Sequence, residues 1–572
     1  MLLKNYVPTF AATKSKNKTT MYELTQKDNF ILRFENSVKE CWNKAALDDY
    51  RTSSVTYGEL AADIEKMVLC WRAAGLQKGD KIVINARSSS NWAKVFLAAQ
   101  VGGFVAVQIF NGFTPDDTVK LVNHSDARLL YTEKAIFDKL DFNALPNILG
   151  AIDTKSLELL AARDGFAEVY ARQDSIFAEA HPAGLKVEDI HYETGSLDDL
   201  SAIMYTSGST GNPKGVMLSN RNLSANIQLI PVHFPYRRED NYVSVLPYAH
   251  IFGMVYDMLA PLCYGMHLIV LCIPPVPANL KPAFRQYRPH VFFAVPLILT
   301  KLLEDSIGEF IHSKSGAAKL EDYQNNRDFC DALADIFLHA LGGNIGLFVT
   351  GGAAIPEHFE KLMVEKLRLP FVSGYGMTEA APTICLGHKG KYKLKECGEY
   401  VDEAVELKID SADGEHIPGE ILIRGNVVFQ GYYKNPDATR AAFTEDGWFR
   451  TGDLGTVDKD RSVFIVGRCK SMILSANGQN IFPEEIEVVL NALPDVGESL
   501  IVSRQSKLVA LIVPNQNLTA DMDAATLKNV MDANLAVLNK KIPGYSQVSS
   551  YELRFEPFVK TPKGSIRRFM YE

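Results

Sequence analysis

Cysteine pairing is missing from this chain. Its eight cysteines, at positions 41, 70, 263, 272, 330, 385, 397 and 469, include no C-x-x-C pair. They read as reduced thiols of a cytoplasmic protein, not as a disulfide frame or a zinc site. Net positive charge is missing as well. The formal net charge is −8 and no basic run is dense enough to follow a phosphate backbone, which argues against a nucleic-acid partner. Long apolar runs are lacking too. The N-terminal one is only Met1-Leu-Leu3, too short for a secretory signal. Between Asp240 and Lys281 the only formal charge is Asp257, yet Pro247, Gly253, Pro261, Gly265 and Pro274-Pro275 interrupt the stretch. A membrane span needs about 20 unbroken apolar residues, so this is expected to be buried protein and no transmembrane helix is expected. Residues 1–22 carry Lys4, Lys14, Lys16 and Lys18 and no acid. Such a tail either touches anionic lipid, giving peripheral membrane association, or is a disordered leader. No internal repeat or low-complexity tract is evident.

What remains is an ordinary globular composition, 47% hydrophobic and 22% charged, in a chain long enough for two or more domains. Short apolar strands such as Lys81-Ile-Val-Ile-Asn85 and Phe104-Val-Ala-Val-Gln108 alternate with helical stretches, of which residues 90–101 show the clearest three-to-four spacing. That alternation predicts βαβ units and a largely parallel sheet. It resumes over 200–390, where His267-Leu-Ile-Val-Leu-Cys272 and Val291-Phe-Phe-Ala-Val295 read as strands covered on both faces. Residues 306–335 are more polar and are expected to be an excursion on the helical layer. From 391 the texture turns to short strands with turn residues, a β-rich subdomain. After it come a helix at 484–493, strands at 499–503 and 507–513, a helix at 524–541 and a strand near 551–555. The expected fold class is α/β. A large N-terminal domain (23–467) holds two βαβ subdomains (23–199 and 200–390) and a β-rich subdomain (391–467), and a small α+β C-terminal domain (468–572) follows.

One run carries more chemistry than the rest: Thr206-Ser-Gly-Ser-Thr-Gly-Asn-Pro-Lys-Gly215. Its glycines allow close backbone approach, and its hydroxyls and amides can converge on phosphate oxygens, with Lys214 adding a mobile charge. A Walker loop would open a helix and carry Ser or Thr after its lysine. Here Lys214 follows Pro213, and the flanks, 200–205 and 216–218, read as two strands.

With four later motifs in order, this loop resembles the ANL superfamily of adenylate-forming enzymes, the acyl-CoA synthetases, nonribosomal adenylation domains and luciferases. Those motifs are Gly374-Tyr-Gly-Met-Thr-Glu379, Gly447-Trp-Phe-Arg-Thr-Gly-Asp453, Gly467-Arg-Cys-Lys-Ser-Met-Ile473 and Asn477-Gly-Gln-Asn-Ile-Phe-Pro-Glu-Glu-Ile-Glu487. A terminal Lys560-Thr-Pro-Lys-Gly-Ser-Ile-Arg-Arg568 completes the series. The resemblance implies ATP, Mg2+ and CoA as cofactors and cosubstrates. It places Thr206, Ser207, Gly208, Ser209, Thr210, Gly211 and Lys214 on the β- and γ-phosphates, Glu379 and Thr206 on magnesium, and Thr378 at the α-phosphate. Tyr375, between Gly374 and Gly376, offers a face to adenine. Gly352 and Ala353, within Gly351-Gly-Ala-Ala354, leave room for adenine and the acyl carbonyl. Asp453 and Arg468 match a ribose clamp, a carboxylate accepting two vicinal hydroxyls. Lys470 falls at the hinge about which the C-terminal lid would rotate.

The terminal motif departs from the family. The lysine that bridges the α-phosphate and the carboxylate is replaced by Ser565, which carries no charge. Lys563 stands two residues earlier, on the same side of an extended segment, and is the candidate substitute; Lys560 is a weaker one. The alternative is a nucleotide or acyl-adenylate binding protein that lost its first half-reaction. Leu218-Ser-Asn-Arg-Asn-Leu223, Leu246-Pro-Tyr-Ala-His-Ile-Phe-Gly253 and Ile473-Leu-Ser-Ala-Asn-Gly-Gln-Asn-Ile481 resemble the long-chain fatty-acyl-CoA synthetase branch. That branch implies a fatty acid substrate, with acyl carrier protein as the alternative acceptor to CoA. The nearly uncharged stretch 242–280 suits an alkyl tunnel, and His250 is a gate or carboxylate neighbour, or else a packed core histidine.

Overall fold

The computed structural model describes residues 22–206, 213–353, 355–474, 480–504, 507–520, 522–561 and 566–571. The chain divides into two compact units. One takes the residues up to Thr206, Lys214–Glu406 and Arg424–Ala441; the other takes Leu407–Ile423 and the chain from Ala442.

In the first unit, among the described residues, an eight-stranded sheet has at its centre the parallel strands Leu200–Thr206, Val105–Gln108, Lys81–Asn85, Ala127–Thr132 and Gly150–Asp153. Residues of these strands are buried nearly throughout, as expected of parallel strands covered by helices. One covering helix is Ser90–Val101, started by Ser89, whose hydroxyl accepts from the amide of Trp92. A second sheet runs in the order Val291–Ala294, Leu347–Thr350, Phe371–Gly376, Thr383–Leu386 and Glu399–Tyr400, its first three strands parallel. The polar excursion over 306–335 is helical, made from Pro296–His312, Lys314–Glu321 and Arg327–Ala340. These helices bury Leu299, Leu303, Leu333 and Phe337 against the sheet residues Phe292 and Phe348.

The stretch from Tyr242 to Val270, whose only formal charge is Asp257, is mostly core. Residues Gly253–Leu259 form a π-helical turn with every side chain buried, and Asp257 lies inside it at 0% exposure. Among the described residues no helix is long and apolar enough to cross a membrane.

The second unit contains residues 419–423 of the strand Gly419–Gly425 and the strands Phe449–Val457 and Val463–Arg468, antiparallel in that order. It continues into helix Pro483–Asn491, the antiparallel pair Val496–Arg504 and Lys507–Pro514, helix Ala524–Lys541 and the parallel strand Ser550–Leu553. Ile486, Leu490, Ile501, Ala510, Leu527 and Met531 close its core. The fold class is the expected α/β, with a small α+β portion at the C-terminus.

Candidate active site

The polar run at 206–215 does join two strands. Leu200–Thr206 pairs antiparallel with Lys214–Ser219, in a register that sets Thr206 opposite Lys214. The Thr206 hydroxyl donates to the Lys214 carbonyl at 3.5 Å. Ser207, Gly208, Ser209, Thr210 and Gly211 lie outside the described residues. The root of the loop is anchored by Tyr205, buried, whose hydroxyl meets Nδ1 of His124 at 2.7 Å.

Strand Lys214–Ser219 runs directly into helix Asn220–Gln228, capped by a reciprocal pair. Ser219 Oγ accepts from the Asn222 amide, and Asn222 Oδ1 accepts from the Ser219 amide. The asparagines of this helix then reach out. Asn222 donates to the carbonyls of Asn426 and Val428, both at 2.8 Å. Asn226 donates to Ala380 and accepts from the Thr383 amide at 3.0 Å. The turn Thr378–Ala380, which carries Glu379, is thereby fixed from the helix that follows the phosphate loop.

Within the first unit Lys214 and Glu379 come together on Tyr432. Thr378 is buried and Glu379 half-buried. The Tyr432 hydroxyl donates to Glu379 Oε1 at 3.0 Å, and Lys214 Nζ lies 4.6 Å from the centre of the Tyr432 ring. Burial and the Glu379 carboxylate push the Tyr432 phenol well above its ordinary pKa, so it stays a donor. Among the described residues no group of three His, Cys, Asp or Glu forms a ready-made metal cluster. Mg2+ is bound through one or two carboxylates while keeping substrate oxygens and water in its coordination. Glu379 and the Thr206 hydroxyl offer the hard oxygen donors for it.

Gly374, Tyr375 and Gly376 end the strand Phe371–Gly376. A Cβ at Gly376 would run into the Pro382 carbonyl, and one at Gly351 would come within 3.1 Å of the Gly374 carbonyl and 3.9 Å of the Phe252 ring. These glycines thus let backbone meet backbone at the strand ends. Gly352 has φ +80° with open space where a side chain would stand, and Ala353 is exposed. His250 begins the turn into the buried π-helical segment. Its amide donates to the Pro247 carbonyl at 3.0 Å, and its ring lies 5.0 Å from that of Phe110.

The remaining candidates are in the second unit. Asp453 and Arg468 stand opposite each other in adjacent strands, with Arg468 Nε 3.1 Å from Asp453 Oδ1. Asp453 is buried, while the Arg468 side chain is 70% exposed. Lys470 sits in the tight turn after that strand, where the amides of Ser471 and Met472 both donate to the Arg468 carbonyl. Lys563 and Ser565 lie outside the described residues. Lys560 is described: its ammonium is paired with Glu498, and its backbone bridges to Ile566. Arg568 pairs with Glu487, a buried carboxyl that desolvation pushes up to about 7.

Tyr432 and the asparagines at 222 and 226 had no assigned part in the sequence reading. Asn222 entered that reading only as part of Leu218–Leu223; the available signal was the density of amide side chains directly after a phosphate loop.

Residues 34–433 match the family model described as AMP-binding enzyme, and residues 470–572 match that of the AMP-binding enzyme C-terminal domain. A long-chain-fatty-acid–CoA ligase of Mycobacterium bovis, FadD15, is 28% identical over 81% of this chain and 77% of its own length. A sulfoacetate–CoA ligase of Cupriavidus necator is 29% identical over 82% of this chain and 85% of its own. The o-succinylbenzoate coenzyme A synthetase MenE of Bacillus subtilis, solved with ATP and a magnesium ion, shares the fold at a TM-score of 0.71. It is 21% identical and the match covers 95% of this chain and 98% of that one.

Proposed function

Because this chain belongs to the AMP-binding enzyme family, we propose that it is an ATP-dependent acid–thiol ligase acting on a long-chain fatty acid. In the first half-reaction a carboxylate oxygen attacks the α-phosphorus of ATP and pyrophosphate leaves, giving acyl-AMP. In the second the CoA sulfur attacks the acyl carbon and AMP leaves. The observation that carries the reading is the meeting of Lys214 and Glu379 on Tyr432, directly beside the root of the glycine- and hydroxyl-rich loop.

Two anions must approach each other in the first step, so the site has to concentrate positive charge and fixed donors at the triphosphate. Lys214 and the loop hydroxyls serve the β- and γ-phosphates, and Thr378 the α-phosphate. Glu379 and Thr206 hold magnesium, which when bound supplies charge neutralisation at the leaving group. Asp453, oriented by Arg468, accepts the ribose hydroxyls, and Tyr375 covers adenine. Lys563 supplies the bridging ammonium in place of Ser565. Lys470 serves as the hinge between the two half-reactions.

The fatty acid assignment rests on the three sequence segments around 218, 246 and 473 and on the similarity to the mycobacterial ligase. Sulfoacetate as the substrate of an equally similar relative is the competing chemistry. The test supplies ATP and Mg2+ with acetate, sulfoacetate, octanoate or palmitate, and with CoA, acyl carrier protein or neither, while pyrophosphate and AMP are measured. Turnover rising from acetate to palmitate with CoA is expected, since each buried methylene adds roughly 0.8 kcal/mol of transfer free energy. A preference for acetate or sulfoacetate would remove the long-chain assignment. No AMP with any acid would remove the ligase.

A further inference from the structure

Residues 429–433 pack against both sides of the nucleotide site at once. The Phe429 amide donates to the Glu379 carbonyl at 2.9 Å, fixing the turn that carries the carboxylate. The Gln430 amide donates to the Met217 carbonyl, and the Tyr433 amide to the Gly215 carbonyl at 2.8 Å, fixing the strand that leaves the phosphate loop. Between them Tyr432 stands opposite Val216 in register, and its own amide donates to Thr439 Oγ1 at 2.9 Å. Its ring is held edge-on by Phe429 at 4.9 Å. Gly431, at φ +132°, takes a backbone conformation that a side chain would strain, and a Cβ there would press on Thr439. The ring of Tyr432 is thus set by backbone register on one side and an aromatic contact on the other. What it presents is a hydroxyl to Glu379 Oε1 at 3.0 Å and a ring face to Lys214 Nζ at 4.6 Å.

We propose that Tyr432 is a positioning residue for the metal–nucleotide complex: its hydroxyl aims the Glu379 carboxylate and its ring face parks the Lys214 ammonium, so that the two opposite charges are held ready without neutralising each other. A direct Lys–Glu ion pair would have to be broken for the carboxylate to take a cation and the ammonium to take phosphate. A hydroxyl donor and a cation–π contact stabilise each charge singly, and both are compatible with a further ligand. The inference rests on the ATP-dependent reading of this site and deepens it by assigning one residue that touches neither reacting atom.

The test compares Tyr432→Phe, which keeps the ring and removes the hydroxyl, with Tyr432→Leu, which removes both. Binding is read by calorimetry with ATP alone and with ATP plus Mg2+, in the full-length protein without any acid. Tyr432→Phe should lose roughly tenfold in the Mg2+-dependent gain in ATP affinity while binding metal-free ATP as wild type does. Tyr432→Leu should weaken both. In the full reaction Tyr432→Phe should raise the half-saturating Mg2+ concentration with little change in kcat at saturating metal or in KM for the acid. Wild-type metal dependence in Tyr432→Phe overturns the proposal. So does equal loss with and without Mg2+ together with a lowered Tm, which marks a structural role. If wild type binds ATP with Mg2+ but forms no pyrophosphate with any acid, the ligase reading fails and the calorimetry still decides the role of Tyr432.

Discussion

Asp257 places exacting demands on the interior around it. It is fully buried and accepts four hydrogen bonds: from the Tyr242 hydroxyl at 2.6 Å, the Ser244 hydroxyl at 2.9 Å, and the amides of Val245 and Leu246 at 2.6 and 2.7 Å. Those amides open the segment that runs through Pro247 to His250. Asp257→Leu would fill the space but leave buried donors without partners. At about 1–3 kcal/mol for each unsatisfied group, with partial relaxation, the loss should reach about 3–5 kcal/mol. Asp257→Asn keeps a carbonyl for the two amides and Ser244 and should cost about 1 kcal/mol at low pH.

Burial also pushes the Asp257 carboxyl up to about 6, against about 3.9 in an unfolded chain. The folded state therefore holds the proton through a window in which the unfolded state has released it. This contribution to stability is greatest below about pH 4 and is lost as pH rises through about 6. Asparagine does not titrate. Between pH 4.5 and 7.5 the stability difference should therefore move by roughly 2 kcal/mol in favour of Asp257→Asn. Urea unfolding of both proteins at several pH values reads this directly, and acid-dependent pyrophosphate release reads whether the 245–250 segment has shifted. A pH-independent difference, or an Asp257→Leu protein as stable as wild type, would refute the reasoning.

Two further outcomes concern the charged residues themselves. Glu379→Gln should lose at least tenfold in magnesium-dependent pyrophosphate release with a Tm within a few degrees of wild type, since the residue is half-buried on a short turn; activity loss together with unfolding would indicate a structural carboxylate instead. Lys563→Ala should abolish acyl-adenylate formation while sparing thioester formation from pre-made acyl-adenylate, and Ser565→Lys should be neutral or mildly activating; an inactive wild type made active by Ser565→Lys would mean the first half-reaction had lapsed.

Local periodicity carried much of the architecture. The helices expected at 90–101 and 524–541 correspond to Ser90–Val101 and Ala524–Lys541, and the loop at 206–215 joins two strands as expected, the structure adding that they pair antiparallel. The helices depend on patterns a few residues long, and the strand pair on neighbours joined by one short loop. The brace at 429–433 does not. Tyr432 meets a carboxylate 53 positions away and a lysine more than two hundred away through a strand register that no local pattern specifies. Asp257 was visible as the lone charge in an apolar stretch, but its four donors come from a neighbouring strand and the chain just beyond it, so its role depends on the packing of the π-helical turn. Glycines 374 and 376 were legible as sites of close approach, whereas the partner that approaches, backbone of the adjacent strand, was not.

The described ends of the terminal motif bear on which cation replaces the missing lysine. Lys560 is tied to Glu498, and its backbone is bridged to Ile566, so drawing its ammonium away would give up an ion pair within its own unit. Arg568 is tied to Glu487, whose burial makes an unpartnered charge there costly, and it also lies 3.6 Å from Glu484. Both residues therefore have structural duties that hold the two ends of the 560–568 segment. In the proposed first half-reaction the cation serving the α-phosphate would come from between those anchors, where position 565 is a serine. Lys563 is the lysine that lies there. Positions two apart share a side in any extended segment, and the long, flexible lysine stem can take up an offset of that size. The electrostatic requirement of the first half-reaction can thus be met with the motif's spacing changed and its logic kept.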